Sequence, residues 1–413
     1  MDPQVEVPSY FVCSISMQIM RDPVTVCTGV TYDRESIEKW IYKLQKNTCP
    51  ATMRVLDNRD LTPNHTLCRL IQQWCIANSS MGVPLIAPPD EPLDRNHLNE
   101  LLRDIEASPP PPFLVKVLKI LRTLAEKNED NRRCIGSSKA PAVLIDVIES
   151  QSEEAEETGC YYDVAVTCEE ALGILHALHL PDESVETLAT TRCLAALGSI
   201  LKRGTTNARV HAAVLLQKAS MKGVERIVVN GNDDLTEGLL ELLTEEVCHK
   251  ATVAALEMLI AMSINSRRSR VKAIEAGAVS ILIESLAEQT LERKSTCERM
   301  LCLLDLLCRC AEGRVAMVDH AMGIPMVSKK IFRVSQMVNE KAVRILWSLC
   351  QFSPSERVLN EILHAGAVTK LLMLLQVDCT PKTKCKAREI LKLHGDCWRS
   401  SSCVPTGMYP SNI

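Results

Sequence analysis

The chain has 413 residues, of which 46% are apolar but only 3% aromatic, and its net charge is −4 at pH 7. That length exceeds one ordinary core and implies two or three domains or a repeat array, and a core with so few rings favours packed helices over a β-sandwich. The mild acidic balance excludes a general pull toward nucleic acid or anionic membrane, and no basic-aromatic interleaving argues for nucleic-acid binding.

The 19 cysteines are odd in number, and several (Cys168, Cys302, Cys308, Cys350) sit inside apolar helical runs. Reduced thiols in a cytosolic protein account for that better than a disulfide scaffold. The start, Met1-Asp2-Pro3-Gln4-Val5-Glu6, has neither a basic nor an apolar leader region. The longest apolar run, Ala251 to Met262, contains Glu257 and is too short to span a bilayer. A cytoplasmic protein without an integral membrane segment is the expectation.

Residues 8–78 read as the first domain. Phe11 to Met20 is apolar but irregular, a packed loop, and Val24 to Cys27 is a short strand before a turn at Thr28-Gly29. Asp33 is placed to cap a helix carrying Ile37, Trp40, Ile41 and Leu44 at helical spacing. Cys49-Pro50 opens a second loop. Asn64 then caps a helix with Leu67, Leu70, Ile71 and Trp74 on one face. Cys13, Cys27, Cys49, Cys68, Cys75 and His65 include no C-x₂-C pair, so the spacing does not call for zinc. Cys49 lies on a loop with no histidine base near it in sequence, and packing explains it better than nucleophilic catalysis. No cofactor is called for.

Residues 79–112 are punctuated by Pro84, Pro88, Pro89, Pro92 and the run Pro109 to Pro112, and read as a linker with one amphipathic piece, Leu98 to Ile105. From Phe113 to about residue 398 the chain is helix after helix. Arg270, Arg314 and Arg357 recur 44 and 43 residues apart, and Arg132 stands 138 before Arg270, as three units of 46 would place it. The three are followed by Ala276-Gly277-Ala278, Met322-Gly323-Ile324 and Ala365-Gly366-Ala367. About six helical units are expected between 113 and 394, less regular around Thr167–His179 and Thr191–Met221. Glu153 to Glu157 reads as a solvated loop, and residues 399–413 as a frayed tail. Basic clusters at Arg267-Arg268-Ser269-Arg270 and Lys382-Thr383-Lys384-Cys385-Lys386 are candidates for an acidic partner or phosphoinositide, although exposed helix ends often look the same.

The order and spacing of residues 8–78, with Thr28-Gly29-Val30-Thr31-Tyr32-Asp33-Arg34-Glu35-Ser36-Ile37-Glu38-Lys39-Trp40 and Thr62-Pro63-Asn64-His65-Thr66-Leu67, resemble a U-box, and the helical period in the forties resembles armadillo repeats. Together they cover nearly the whole chain and resemble the plant U-box/armadillo E3 ubiquitin ligases. The expected fold is mostly α, a small α+β U-box followed by an armadillo solenoid. The resemblance implies an E2 enzyme docked on Ile15, Met17, Trp40 and Pro50, with no covalent intermediate on the ligase, and Asp33 and Asn64 in structural roles. It further implies ubiquitin as a partner, protein substrates held by the repeats, a role in stress or immune signalling, self-ubiquitination and association between ligases. A Trp/Asn ladder for nuclear-localisation peptides is matched only by Trp347-Ser348-Leu349-Cys350-Gln351, without Asn or recurrence. Two positions depart from the family pattern. Ser14 replaces the usual Pro after the first-loop Cys, and Met53 occupies the linchpin position, where a side-chain donor normally contacts E2 and ubiquitin; Arg54 is the adjacent substitute. These departures leave a scaffold with a weakened U-box as the competing reading.

Overall fold

The structure, a computed structural model, describes residues 7–78, 83, 93–158, 161–230, 233–245, 248–288 and 294–399. They belong to two compact units, Met1–Leu93 and Asp94–Ile413.

In the first unit the strands β1 (Pro23–Thr25), β2 (Thr31–Asp33) and β3 (Thr62–Pro63) form an antiparallel sheet in the order β2-β1-β3. Val24 faces Tyr32 on one side and Pro63 on the other. Helix α1 (Arg34–Glu38) follows β2 directly and widens into a π turn over Lys39–Lys43, where the Leu44 N–H reaches the Lys39 carbonyl at 3.0 Å. The wider turn keeps Ile37 and Ile41 in the core but swings Leu44 out to 59% exposure, which corrects its placement on the apolar face. Helix α2 (His65–Ala77) buries Cys68, Ile71 and Cys75, with Leu67 and Trp74 partly buried alongside. That stripe is centred on Ile71, so Leu70, about 100° round the helix, is left exposed rather than packed.

The second unit begins earlier than the proline pattern suggests. Asp94 caps α3 (Arg95–Glu106) by accepting the Asn96 N–H at 3.1 Å, and the helix buries Leu98, Leu101, Leu102 and Ile105. Four such side chains gain about 1.5–3 kcal/mol each by leaving water, too much for a free spacer. Helix α4 (Pro111–Lys127) starts inside the proline run, with Pro at a position where its missing N–H costs nothing. The linker expected over 79–112 is therefore shorter; Pro84 and Pro88 to Pro92 lie outside the described residues.

The following helices fall into threes. The first set is α5 (Glu129–Gly136), α6 (Ala140–Thr158) and α7 (Tyr161–Ala177). The second is α8 (Asp182–Thr187), α9 (Thr191–Arg203) and α10 (Thr206–Asn230), which breaks at Gly223. Past that break the third set continues through α11 (Asp233–Thr244) and α12 (His249–Asn265). Three regular sets complete the array: α13 (Arg267–Glu275), α14 (Ala278–Glu288) and α15 (Lys294–Leu307); α16 (Ala311–Asp319), α17 (Gly323–Lys330) and α18 (Gln336–Phe352); and α19 (Glu356–His364), α20 (Ala367–Gln376) and α21 (Pro381–Arg399). Six sets among the described residues agree with the sequence period. Behind α4, which precedes the sets, their long helices form a ladder in which α4, α7, α10, α12, α15, α18 and α21 each pack on the next.

The recurring arginines act at the junctions. Arg132 Nη1 donates to the Ala125 carbonyl at 3.3 Å, Arg270 Nη1 to Ser263 at 2.7 Å, and Arg314 Nη1 to Cys308 at 3.1 Å. Each guanidinium thus satisfies carbonyls left open at the end of the preceding long helix, where a cation also meets the negative end of the dipole. Arg357 departs from this and donates to the Val318 carbonyl. At Gly277 and Gly366 the chain turns with φ of +85° and +69°, a left-handed conformation that glycine adopts without a Cβ penalty. Glu153 to Glu157 is not a loop: α6 runs through it, with Glu153 paired to Arg192 at 2.6 Å and Ala155 buried. The tail beyond Arg399 lies outside the described residues.

Candidate functional site

The two loops of the first unit share one backbone. In the first, the Cys13 N–H donates to the Gln18 carbonyl and the Met17 N–H to the Cys13 carbonyl, both at 2.8 Å. In the second, the Cys49 N–H donates to Arg54 and the Met53 N–H to Cys49, again both at 2.8 Å. Outside each loop lies one bridge, Val12 to Ile19 and Thr48 to Val55, then one more bond, Met20 to Phe11 and Leu56 to Asn47. Met17 and Met53 both have φ of +57°, a left-handed conformation that costs a non-glycine residue about 1–2 kcal/mol. The closure is the same whether Ser14 or Pro50 follows the cysteine, so the serine does not open the first loop. Among the described residues no three His, Cys, Asp or Glu side chains converge on a metal site.

Hydrogen bonds tie the second loop to the sheet and helix. The Tyr32 hydroxyl accepts the Ala51 N–H at 2.9 Å and lies 3.0 Å from Cys49 Sγ. Burial pushes the Tyr32 phenol up, and its bond to Cys49 adds to that. For Cys49 burial opposes ionisation, but hydrogen bonding, the Tyr32 hydroxyl at 3.0 Å included, outweighs it and draws the thiol down to about 6. The thiol nevertheless has no exposed surface, so it is closed to a bulky thioester. The Trp40 indole N–H donates to the Thr48 carbonyl at 2.7 Å, which makes Trp40 a brace for the loop as well as a surface group. Tyr32 is the functional support that sequence reasoning missed; its signal is a buried tyrosine in a strand, whose hydroxyl needs a partner.

Of the four expected contact residues, Ile15 and Trp40 are half-buried and pack on one core with Cys13 and Cys49. Pro50 is half-buried beside Cys49, and Met17 is 75% exposed. Met53 is 68% exposed, and the neighbouring Arg54 is exposed as well. The arrangement supplies apolar surface on two closed loops and a helix, as protein docking requires.

Asn64 caps α2 as expected, accepting the Leu67 N–H at 3.1 Å. Asp33 does not cap α1. Its Oδ1 instead accepts the N–H groups of Arg21 at 2.8 Å and Asp22 at 3.1 Å, because the chain entering β1 runs opposite the end of β2. Asp33→Ala should therefore lower the stability of the first unit by about 2 kcal/mol, from the loss of bonds to a charged acceptor. Urea unfolding of the full chain checks this, and a superimposable curve would contradict it.

Comparisons with known proteins agree on both halves. A family profile described as "U-box domain" matches residues 7–80, and one described as "Plant U-box protein ARM repeat region" matches residues 97–412. The chain is 38% identical to E3 ubiquitin-protein ligase PUB22 of Arabidopsis thaliana, covering 100% of this chain and 99% of the relative. It is 38% identical to PUB23 of the same plant, with 99% and 97% covered, and 35% identical to U-box domain-containing protein 26, with 98% and 95% covered. Among solved structures, a designed armadillo repeat protein aligns with 60% of this chain and 99% of its own at 15% identity, with a TM-score of 0.44.

Proposed function

Because the chain belongs to the plant U-box/armadillo-repeat family of E3 ubiquitin-protein ligases, we propose that its two loops and α1 hold a ubiquitin-charged E2 while the helical array holds the protein to be modified. The observation that carries this reading is the pair of identically closed loops, presenting Ile15 and Met17 on one and Pro50 on the other, with Trp40 bracing the second. The acceptor lysine amine attacks the E2–ubiquitin thioester, an isopeptide bond forms, and the E2 thiolate leaves. No ligase group bonds to ubiquitin, and the ligase contributes orientation. The working environment we propose is the cytoplasm, with a role in stress or immune signalling and self-association between ligases.

Purified protein with E1, ATP, ubiquitin and a panel of E2 enzymes should build ubiquitin chains on itself. A chain that stays unmodified across the panel overturns the reading. Met53 favours a second reading, a scaffold that holds E2 unproductively, because a thioether cannot donate a hydrogen bond. Met53→Arg should speed discharge of charged E2 to free lysine about tenfold, as one charge-assisted bond at the thioester would. An unchanged discharge rate would mean that Arg54 already supplies the donor.

A further inference from the structure

The two sequence features left without a role, the single Trp-Ser-Leu-Cys-Gln segment and the Lys382–Lys386 cluster, meet at one place. A recess of 440 Å³ opens between α15, α18 and α21, the last three rungs of the long-helix ladder. Trp347 and Phe352 form its wall, with ring centroids 5.5 Å apart and edge-to-face, and Phe352 is 56% exposed. Lys386 Nζ stands 3.2 Å from the centre of the Trp347 ring.

The charges at this recess are unbalanced. Asp305 and Glu340 line it against Arg309, Arg344, Lys382 and Lys386. Both acids are already engaged: Asp305 Oδ1 lies 3.2 Å from Arg344 Nε, and Glu340 Oε1 lies 4.0 Å from Arg344 Nη1. Lys386 pairs with Glu389 at 3.1 Å. Lys382 is exposed and has no ion pair or hydrogen bond among the described residues. This cationic excess stands in a chain whose net charge is −4, so it is local and does not follow from composition.

A second observation concerns α21 itself. It opens with Pro381, Lys382, Thr383 and Lys384, and no acid lies in its first turn. Cations at the positive end of a helix dipole are unfavourable, by about 0.3–1 kcal/mol each. An anion bound there would reverse that cost, using the dipole and the lysines together.

We propose that this recess binds a peptide segment of the protein partner in which an apolar side chain is flanked by anionic groups, either carboxylates or phosphates. The apolar side chain lies on the Phe352 and Trp347 rings, and the anions meet Lys382 and the start of α21. A recess between helices admits a chain segment but not the plane of a bilayer, which favours a peptide over a lipid headgroup. The proposal deepens the reading of the array as the half that holds the protein to be modified, and rests on it.

Fluorescence anisotropy with the full chain tests it, using labelled peptides with a central leucine flanked by glutamates, by phosphoserines or by glutamines. The glutamate or the phosphoserine peptide should bind and the glutamine peptide should not, and the tighter of the two identifies the anion. Lys382→Glu should weaken binding about tenfold while leaving the thermal midpoint unchanged or higher, since it replaces a cation where the dipole prefers an acid. Arg268→Glu, the same charge change at the other basic cluster, should leave binding intact, and Phe352→Ala should weaken it. The proposal is overturned if no peptide binds, if the glutamine peptide binds equally, if Lys382→Glu binds like the parent, or if only phosphoinositide vesicles bind. Self-ubiquitination by the same preparations reports the ligase reading separately: chain building without anion binding removes this recess and leaves that reading in place.

Discussion

Ile15→Ala should abolish chain formation without unfolding the protein. Ile15 is half-buried and rests on the core that contains Cys13 and Cys49, so its backbone position is set by the bonds from Cys13 to Gln18 and from Met17 to Cys13, which the substitution leaves untouched. What is lost is an apolar anchor at the centre of the proposed E2 contact. Truncating such an anchor costs about 2–4 kcal/mol of binding, which weakens E2 affinity by about 30- to 1,000-fold. Two measurements together decide the outcome: a titration of E2 against the full chain, and its thermal unfolding. Weak E2 binding with a nearly unchanged melt is the expected pair. Chain formation at the parental rate would remove Ile15 from the contact, and a large drop in the melt would assign it to the core.

Trp398→Ala should destabilise the end of the array more than any surface change. Trp398 is 1% exposed, and its indole N–H donates to the Leu359 carbonyl at 3.2 Å, joining α21 to α19. Removing a buried tryptophan costs about 3–5 kcal/mol and leaves a cavity. In a stack where each unit touches only its neighbours, that loss should stay local. Hydrogen exchange should therefore show α19 to α21 opening while α4 to α15 keep their protection. Uniform loss of protection along the array would contradict a local effect. Because α21 lines the recess between α15 and α18, the same variant should also lose the binding proposed there.

Much of this was legible in the sequence, where one local rule acted alone. Asn64 capped its helix because a short acceptor before an apolar stripe has little else to do. The spacing of Arg132, Arg270 and Arg314 was readable because each repeats one junction bond. Expectations missed where a second partner competed. Asp33 had the right position for a cap, but the N–H groups of Arg21 and Asp22 were nearer, and no periodicity encodes that contact. Leu44 was displaced by a π turn that residue spacing cannot reveal. Prolines masked α3 and the start of α4, because proline at the first turn of a helix resembles proline in a spacer. The acidic run at Glu153 is helical, with Ala155 buried inside it and Glu153 paired to Arg192, 39 residues away, neither of which a count of charges reveals. The middle repeats read as irregular because α8 has six residues and the next short helix is fused into α10. In the candidate site, the contact roles expected of Ile15 and Pro50 come from the resemblance, while the Tyr32 clamp became visible only with the strand and loop side by side.

The shared closure of the two loops has an engineering consequence. Since Cys13 to Gln18 and Cys49 to Arg54 follow one pattern of main-chain bonds, the difference between them resides in side chains and not in shape. The sockets are therefore interchangeable inserts: writing the sequence of one into the other should preserve the scaffold while exchanging what it presents. A chain with two copies of the first insert would keep its architecture and its methionine at position 53, and lose only the chemistry of Pro50, Ala51, Thr52 and Arg54, which yields a silent partner for dissecting the live one.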